Sequence, residues 1–351
     1  MGELVSGTWR RSGMESVMAD GELRRPPSLF REWITAAGDS PFKAEPDRYH
    51  LYVSLACPWA HRTLIMRNLK GLTDLIDVSV VHWLMGEDGW TFDPGDGTSS
   101  DVVNGTKFLH EIYTISDPDC TSRVSVPVLW DKVHRRIVSN ESSDILRMFN
   151  TAFDDVGAAD GDYYPTDHRD EINAVNARVY ASLNNGVYRS GFATTQTAYE
   201  TAVGEVFETL DWLEDRLARQ RYLVGGVLTE ADIRLFTTLV RFDPVYHGHF
   251  KCNRRALVDY PALWAYTRDL FSHPAIRPTV DFDHIKGHYY GSHPWLNPSG
   301  IVPVGPDCDF DFPSGRESRA ALSVTAARAH RGDAAPSDVP GHCYGAAKNN
   351  R

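Results

Sequence analysis

The chain has 351 residues, is 42% hydrophobic and carries a formal charge of −11, which is long enough for two domains with full cores and too apolar for a disordered polymer. The acidic balance argues against nonspecific nucleic-acid binding, no run of about 18 apolar residues offers a membrane span, and the opening Met1-Gly2-Glu3-Leu4-Val5-Ser6 lacks the basic and apolar regions of a signal peptide. Five scattered cysteines, Cys57, Cys120, Cys252, Cys308 and Cys343, make a poor disulfide framework and point to a reducing, cytoplasmic setting.

Residues 1–48 are rich in Gly, Ser, Pro and charge and read as an arm packed on the folded body. From residue 49 an alternating apolar strand leads to Cys57, to Pro58 at a first helical position, and then to an amphipathic helix. That order puts Cys57 at a helix N-terminus. Unpaired N–H groups and the helix dipole favour negative charge there, so an exposed thiol that ionises more readily than a free cysteine is expected. Position 60, where a dithiol oxidoreductase carries its second cysteine, is Ala60, so the chemistry predicted is monothiol: Cys57 attacks a sulfur and waits for an external thiol to resolve the mixed disulfide.

Further along, the pattern gives a strand over 77–83, a polar Gly-rich insertion, strands over 126–131 and 136–138, and a helix over 142–149. A βαβ half followed by a ββα half is the thioredoxin order, so 49–153 is expected to form an α/β thioredoxin-like domain. After a linker over 154–164, residues 165–306 read as all-helical. Residues 199–220 repeat Val203, Val206, Phe207, Leu210, Leu213 and Leu217 at helical spacing, Thr229-Glu230-Ala231-Asp232 forms a capping box before a helix over 233–241, and Pro261 and Pro274 frame another helix. Residues 307–351 read as a flexible tail without a catalytic role.

Several motifs then combine: Cys57-Pro58-Trp59-Ala60; Gly89-Trp90-Thr91-Phe92; Arg123 with Val126-Pro127-Val128-Leu129-Trp130-Asp131; and Asn140-Glu141-Ser142-Ser143. With Asn184-Asn185-Gly186-Val187-Tyr188, Arg241-Phe242-Asp243-Pro244-Val245-Tyr246, His249-Phe250-Lys251-Cys252-Asn253 and Lys286-Gly287-His288-Tyr289-Tyr290-Gly291-Ser292, the chain resembles, over about residues 30–306, the omega-like Xi class of glutathione transferases, the glutathionyl-hydroquinone reductases. The resemblance implies a thioredoxin-like domain followed by an all-α domain, a homodimer, glutathione as cosubstrate, and no tightly bound cofactor. It also implies that Cys57 takes the glutathionyl group from a glutathionyl-hydroquinone. Trp90, Arg123, Val126, Glu141 and Ser142 are then expected to bind glutathione, Val126 through its backbone beside a cis Pro127. Tyr188, Tyr289 and Tyr290 are expected to hold the hydroquinone or supply its proton.

Blander readings stand beside these. Glu141 and Ser142 could simply cap a helix, Arg123 could be a solvated charge, and each tyrosine could be core or rim. Asp243, His247, His249 and Cys252, or His284, His288 and His293, offer metal-binding side chains, but their spacing matches no usual zinc pattern and no metal is expected. Two alternatives stay open: another low-molecular-weight thiol such as mycothiol as the reductant, and a noncatalytic ligand-binding protein on the same fold.

Overall fold

The computed structural model describes residues 2–316. Its first domain is built on a four-stranded sheet made of β7 (Tyr49–Val53), β8 (Ile76–Val80), β9 (Val128–Asp131) and β10 (Arg136–Ser139) in the order β10-β9-β7-β8. The β7–β8 pair is parallel, with Tyr49 opposite Ile76, and β9 runs antiparallel to both β7 and β10. Every residue of β7 is buried, as its apolar run requires of a central strand. Helices α1 (Pro58–Leu69), α2 (Leu109–Ser116) and α3 (Ser142–Thr151) complete the thioredoxin-like layer arrangement. Helix α2 lies within the Gly-rich insertion, where eight residues give too short a periodic stretch to announce a helix.

The second domain is helical: α4 (Arg169–Val179), α5 (Gly186–Phe192), α6 (Gln196–Leu217), α7 (Glu230–Leu239), α8 (Pro261–Phe271) and α9 (Phe282–Ser292). Thr229 and Asp232 form the expected reciprocal cap, with the Thr229 N–H donating to Asp232 Oδ2 at 2.9 Å. Two π-helical turns, Tyr180–Asn184 and Phe242–His247, interrupt the regular helices, the second containing Pro244. Helix α1 packs against α3 in its own domain and α7 in the other, so both of its sides are covered. His61, Arg62 and Thr63, three consecutive polar residues of this helix, are consequently all buried.

The arm carries short strands of its own: its hairpins β1 (Gly2–Val5) with β2 (Thr8–Arg11) and β3 (Met18–Ala19) with β4 (Glu22–Leu23), and its parallel pair β5 (Ile34–Thr35) with β6 (Phe42–Lys43), lie along both domains. One expectation needs correction: the start of the tail is fixed. Phe310 packs on Trp264, Phe271 and Phe282, and the fully buried Arg316 donates to the carbonyls of Leu217, Gln220 and Arg221. A buried arginine satisfied by helix-end carbonyls carries no hydropathy signature. The remainder of the expected flexible tail, 317–351, lies outside the described residues.

Candidate active site at the domain junction

Cys57 is the N-cap of α1, with extended backbone (φ −75°, ψ 121°) and Pro58 at the first helical position. Its Sγ lies 3.5 Å from the Val126 carbonyl oxygen, to which the thiol donates, and the Val126–Pro127 bond is cis. The thiol is half-buried rather than exposed, and its ionisation departs from the expected direction. Burial pushes the Cys57 thiol up; the N–H groups of Ala60 and Trp59 and the charges of Arg241 and Arg25 pull it down without cancelling that effect. The helix terminus therefore works against a desolvation cost that the sequence does not display.

Glu141 and Ser142 open α3, which packs against α1. Ser142 is buried and its Oγ accepts from Arg62 Nη1 at 3.4 Å. Glu141 caps α3: one oxygen accepts from the Ser143 N–H and Oγ at 3.1 and 2.9 Å, and the other accepts from Ser28 Oγ of the arm at 2.9 Å. Burial raises the Glu141 carboxyl, but those hydrogen bonds and the Arg62 charge outweigh it and hold the group below the usual carboxylate range.

Arg62 is a residue that sequence reasoning missed. It is fully buried, donates to Asn184 Oδ1 at 3.0 Å, and lies 4.4 Å over the Trp59 ring. Burial pushes its pKa down to about 9, the nearby Arg234 adding to the effect while Glu141 opposes it. Its Nε has no hydrogen-bond partner and it has no ion-pair partner among the described residues, so positive charge is left over beside the N-terminus of α3. A carboxylate bound there would meet both the helix N–H groups and this guanidinium.

Trp90 and Arg123 sit differently. Trp90 is buried and stacks on His288 at 4.8 Å. Arg123 donates to the Gly13 carbonyl at 3.1 Å and to Ser16 Oγ at 3.3 Å, clasping the arm.

On the helical-domain side, the Tyr188 and Tyr289 hydroxyls share a short hydrogen bond and Tyr246 bonds Tyr289 at 3.1 Å. Burial raises all three phenols, and the Cys57 charge adds to the effect on Tyr188, so each remains a proton donor. Tyr246, carried on the second π turn, was not anticipated; Tyr290 lies apart from this chain, its hydroxyl donating to the Pro244 carbonyl at 3.4 Å and its ring against His249. The histidines form an aromatic wall. His249 and His293 are 3.1 Å apart through ring nitrogens, and no group of three or more potential metal ligands occurs among the described residues.

Arg241, at the end of α7, ties the two halves together. It donates to the Ala56, Leu55 and Thr237 carbonyls at 2.9, 3.0 and 2.8 Å and to His61 Nδ1 at 2.9 Å. Since Arg can only donate, His61 accepts at Nδ1 and donates from Nε2 to Thr279 Oγ1 at 2.7 Å.

The glutathione S-transferase N-terminal domain family covers residues 56–152 and the C-terminal domain family covers 196–269. Glutathionyl-hydroquinone reductase PcpF of Sphingobium chlorophenolicum is 57% identical over 87% of this chain and 96% of its own length. Glutathionyl-hydroquinone reductase YqjG of Escherichia coli K-12 is 53% identical over 91% of this chain and 99% of its own, and the glutathione-bound structure of that protein superposes with a TM-score of 0.84, at 52% identity over 91% of this chain and all of that one. A Xi-class transferase from Natrialba magadii gives a TM-score of 0.85 at 48% identity, over 91% of this chain and 97% of that one.

Proposed function

Because the chain belongs to the Xi class of glutathione transferases, the glutathionyl-hydroquinone reductases, we propose that it reduces glutathionyl-hydroquinones through a single Cys57 mixed disulfide. The observation that carries the mechanism is the placement of Cys57 at the N-terminus of α1, beside the Val126 carbonyl and facing the tyrosine cluster, with Ala60 where a second thiol would stand. The other described cysteines are also free, but Cys120 and Cys252 are buried and only Cys57 caps a helix N-terminus among the described residues.

Glutathione lies along the first domain in this reading. Its cysteinyl backbone pairs with Val126, its γ-glutamyl carboxylate meets the N–H groups at the start of α3 with Arg62 behind, and its ammonium meets Glu141. Trp90 and Arg123 complete that side, Arg123 through the arm it holds. The aromatic ring occupies the space beside Tyr188 and Tyr289, with Tyr290 at its margin.

The Cys57 thiolate attacks the glutathione sulfur, forming an S–S bond as the C–S bond breaks, and the ring carbon gains a proton. A second glutathione then attacks the mixed disulfide, giving glutathione disulfide and restoring Cys57. The net change is one glutathionyl-hydroquinone and one glutathione converted to hydroquinone and glutathione disulfide. A homodimer in the reducing cytoplasm belongs to the same reading, supported by the family resemblance and by the free cysteines.

Incubation with glutathionyl-menadiol and excess glutathione tests the proposal by release of free menadiol. Release with mycothiol but not glutathione would assign the reductant to the other thiol, and release with neither would leave a ligand-binding protein.

A further inference from the structure

Between its anchor points the arm lays the Arg25 side chain against Tyr188 and Trp59. Upstream, Glu22 pairs with Arg189 and the Thr194 N–H donates to the Gly21 carbonyl at 3.0 Å. Downstream, Ser28 holds Glu141, and Arg31 binds Asp144 with two bonds of 2.7 and 2.8 Å. Pro26 and Pro27 stiffen the chain just past Arg25. The guanidinium is 4.6 Å from the Tyr188 ring and 5.2 Å from the Trp59 ring, and its Nε donates to Asn185 Oδ1 at 2.9 Å.

Two guanidiniums therefore attend Trp59. Arg62 is buried and bonded to Ser142 and Asn184 on the glutathione side; Arg25 is exposed, and among the described residues its terminal nitrogens have no hydrogen-bond partner. Its charge acts on both Cys57 and Tyr188, which places it where the nucleophile and the aromatic acceptor meet.

We infer that Arg25 receives the negative charge that leaves with the hydroquinone, and so selects acceptors that depart as phenolates. The inference rests on the reductase reading above. Once the sulfur-bearing ring carbon has taken a proton, the adjacent ring oxygen is a carbonyl. Attack by the Cys57 thiolate forms the S–S bond and breaks the C–S bond, and the released electron pair restores the aromatic ring as a phenolate. The negative charge has then moved from Cys57 sulfur to a ring oxygen, which afterwards takes a proton. A planar cation with spare N–H donors, held against the Tyr188 ring, stabilises charge at that point and has little effect on a ground-state phenol.

The test compares Arg25→Gln and Arg25→Lys with the unaltered enzyme on two substrate classes: glutathionyl-hydroquinones of graded phenol acidity, and a mixed disulfide of glutathione with a small aliphatic thiol. Arg25→Gln should lower kcat/KM for the hydroquinones by about tenfold or more relative to the disulfide, the size expected when one charge-assisted contact is lost. The loss should be smallest for the most acidic phenol, and Arg25→Lys should recover part of it. Loss of Arg25's influence on the thiol alone would depress both classes equally, and an unchanged ratio or an equal loss overturns the inference. Should Arg25→Gln fail to fold, as judged by circular dichroism, the same ratio measured on Arg25→Lys, which keeps the charge and lacks the planar fork, decides it. Menadiol release by the unaltered enzyme tests the reductase reading separately, so the two can fail independently.

Discussion

Arg241 Nε lies 2.9 Å from the carbonyl oxygen of Ala56, so a guanidinium of the helical domain grips the peptide that carries the nucleophile. The same side chain holds Leu55 and His61, and its charge is one of the forces that favour the Cys57 thiolate. Removing that charge should raise a thiol that burial already raises. Arg241→Met is expected to move the pH profile of iodoacetamide alkylation at Cys57 further to alkaline pH, so the rate at fixed neutral pH falls. It should also destabilise the fold by roughly 2 to 4 kcal/mol, because several buried acceptors lose their donor. An unshifted profile in a folded variant would remove Arg241 from control of the thiol.

Substrate supplied without excess glutathione should leave a single glutathione adduct on Cys57, visible by intact mass and absent from Cys57→Ala, which should be inactive. Ala60 provides no resolving sulfur, and Cys120 and Cys252 are buried. An intramolecular disulfide in place of the adduct would refute the monothiol route.

Glu141→Gln should weaken glutathione binding about tenfold or more while leaving the chemical step nearly intact, since a charge-assisted contact contributes roughly 1.5 to 3 kcal/mol. The Glu141 carboxyl is held below the usual carboxylate range, so it stays ionised as pH falls through that range and its contribution to binding should persist there. Titration of the KM for glutathione against pH checks both statements. An unchanged dependence on glutathione would show that the ammonium contact lies elsewhere.

Chains ending at residue 316 and at residue 306 should behave differently. The longer one keeps Phe310 in its aromatic nest and Arg316 on the carbonyls of Leu217, Gln220 and Arg221, and should melt and turn over like the full chain. The shorter one should lose roughly 2 to 5 kcal/mol of stability, the range for losing one large buried aromatic and a buried hydrogen-bonded charge. Equal thermal unfolding of the two would show these contacts to be energetically idle.

Acid should weaken the domain junction before carboxylates are titrated. His288 is buried against Trp90, and burial lowers its pKa to about 4. With an unfolded value near 6.5, the unfolded chain binds the proton first as pH drops, so the stability owed to neutral His288 is present above pH ~6.5 and is lost toward pH ~4. That amounts to about 3 kcal/mol at most. Thermal unfolding from pH 7 to 4 should show a downward slope that is shallower in His288→Asn. The same slope in both proteins would place the acid sensitivity in other groups.

What could be read in advance was whatever local spacing records. Pro58 after Cys57, the Thr229 to Asp232 cap and Pro261 at the start of α8 each mark a helix start within a few residues, and the structure has a helix at each. The roles of Arg25, Arg62, Arg241 and Tyr246 were not legible, although Arg241 and Tyr246 stand in a motif that carries the resemblance. Arg62 is one charged residue of an amphipathic helix whose partners, Ser142 and Asn184, lie 80 and 122 positions away. Arg25 meets its partner 160 positions away, and Arg241 meets Ala56 across 185. Tyr246 sits on a π turn, whose one-residue offset breaks the 3.6-residue rhythm by which helix faces are recognised. The direction of the Cys57 shift was lost because the helix dipole is local, whereas burial, which outweighs it, is a property of the folded chain.

The straps between the arm and the body also fix an order of events during synthesis. Glu22, Arg25, Ser28 and Arg31 leave the ribosome early, but the residues that capture them, Glu141, Asp144, Asn185 and Arg189, are made more than a hundred residues later. The first domain can assemble on its own sheet as it emerges and take the Ser28 and Arg31 end of the arm onto α3, whereas the stretch around Glu22 and Arg25 has nowhere to dock until Asn185 and Arg189 exist. The nascent chain thus gains its nucleophile before it gains the lip that faces the aromatic acceptor, and that side of the enzyme is completed last although its residues are translated first.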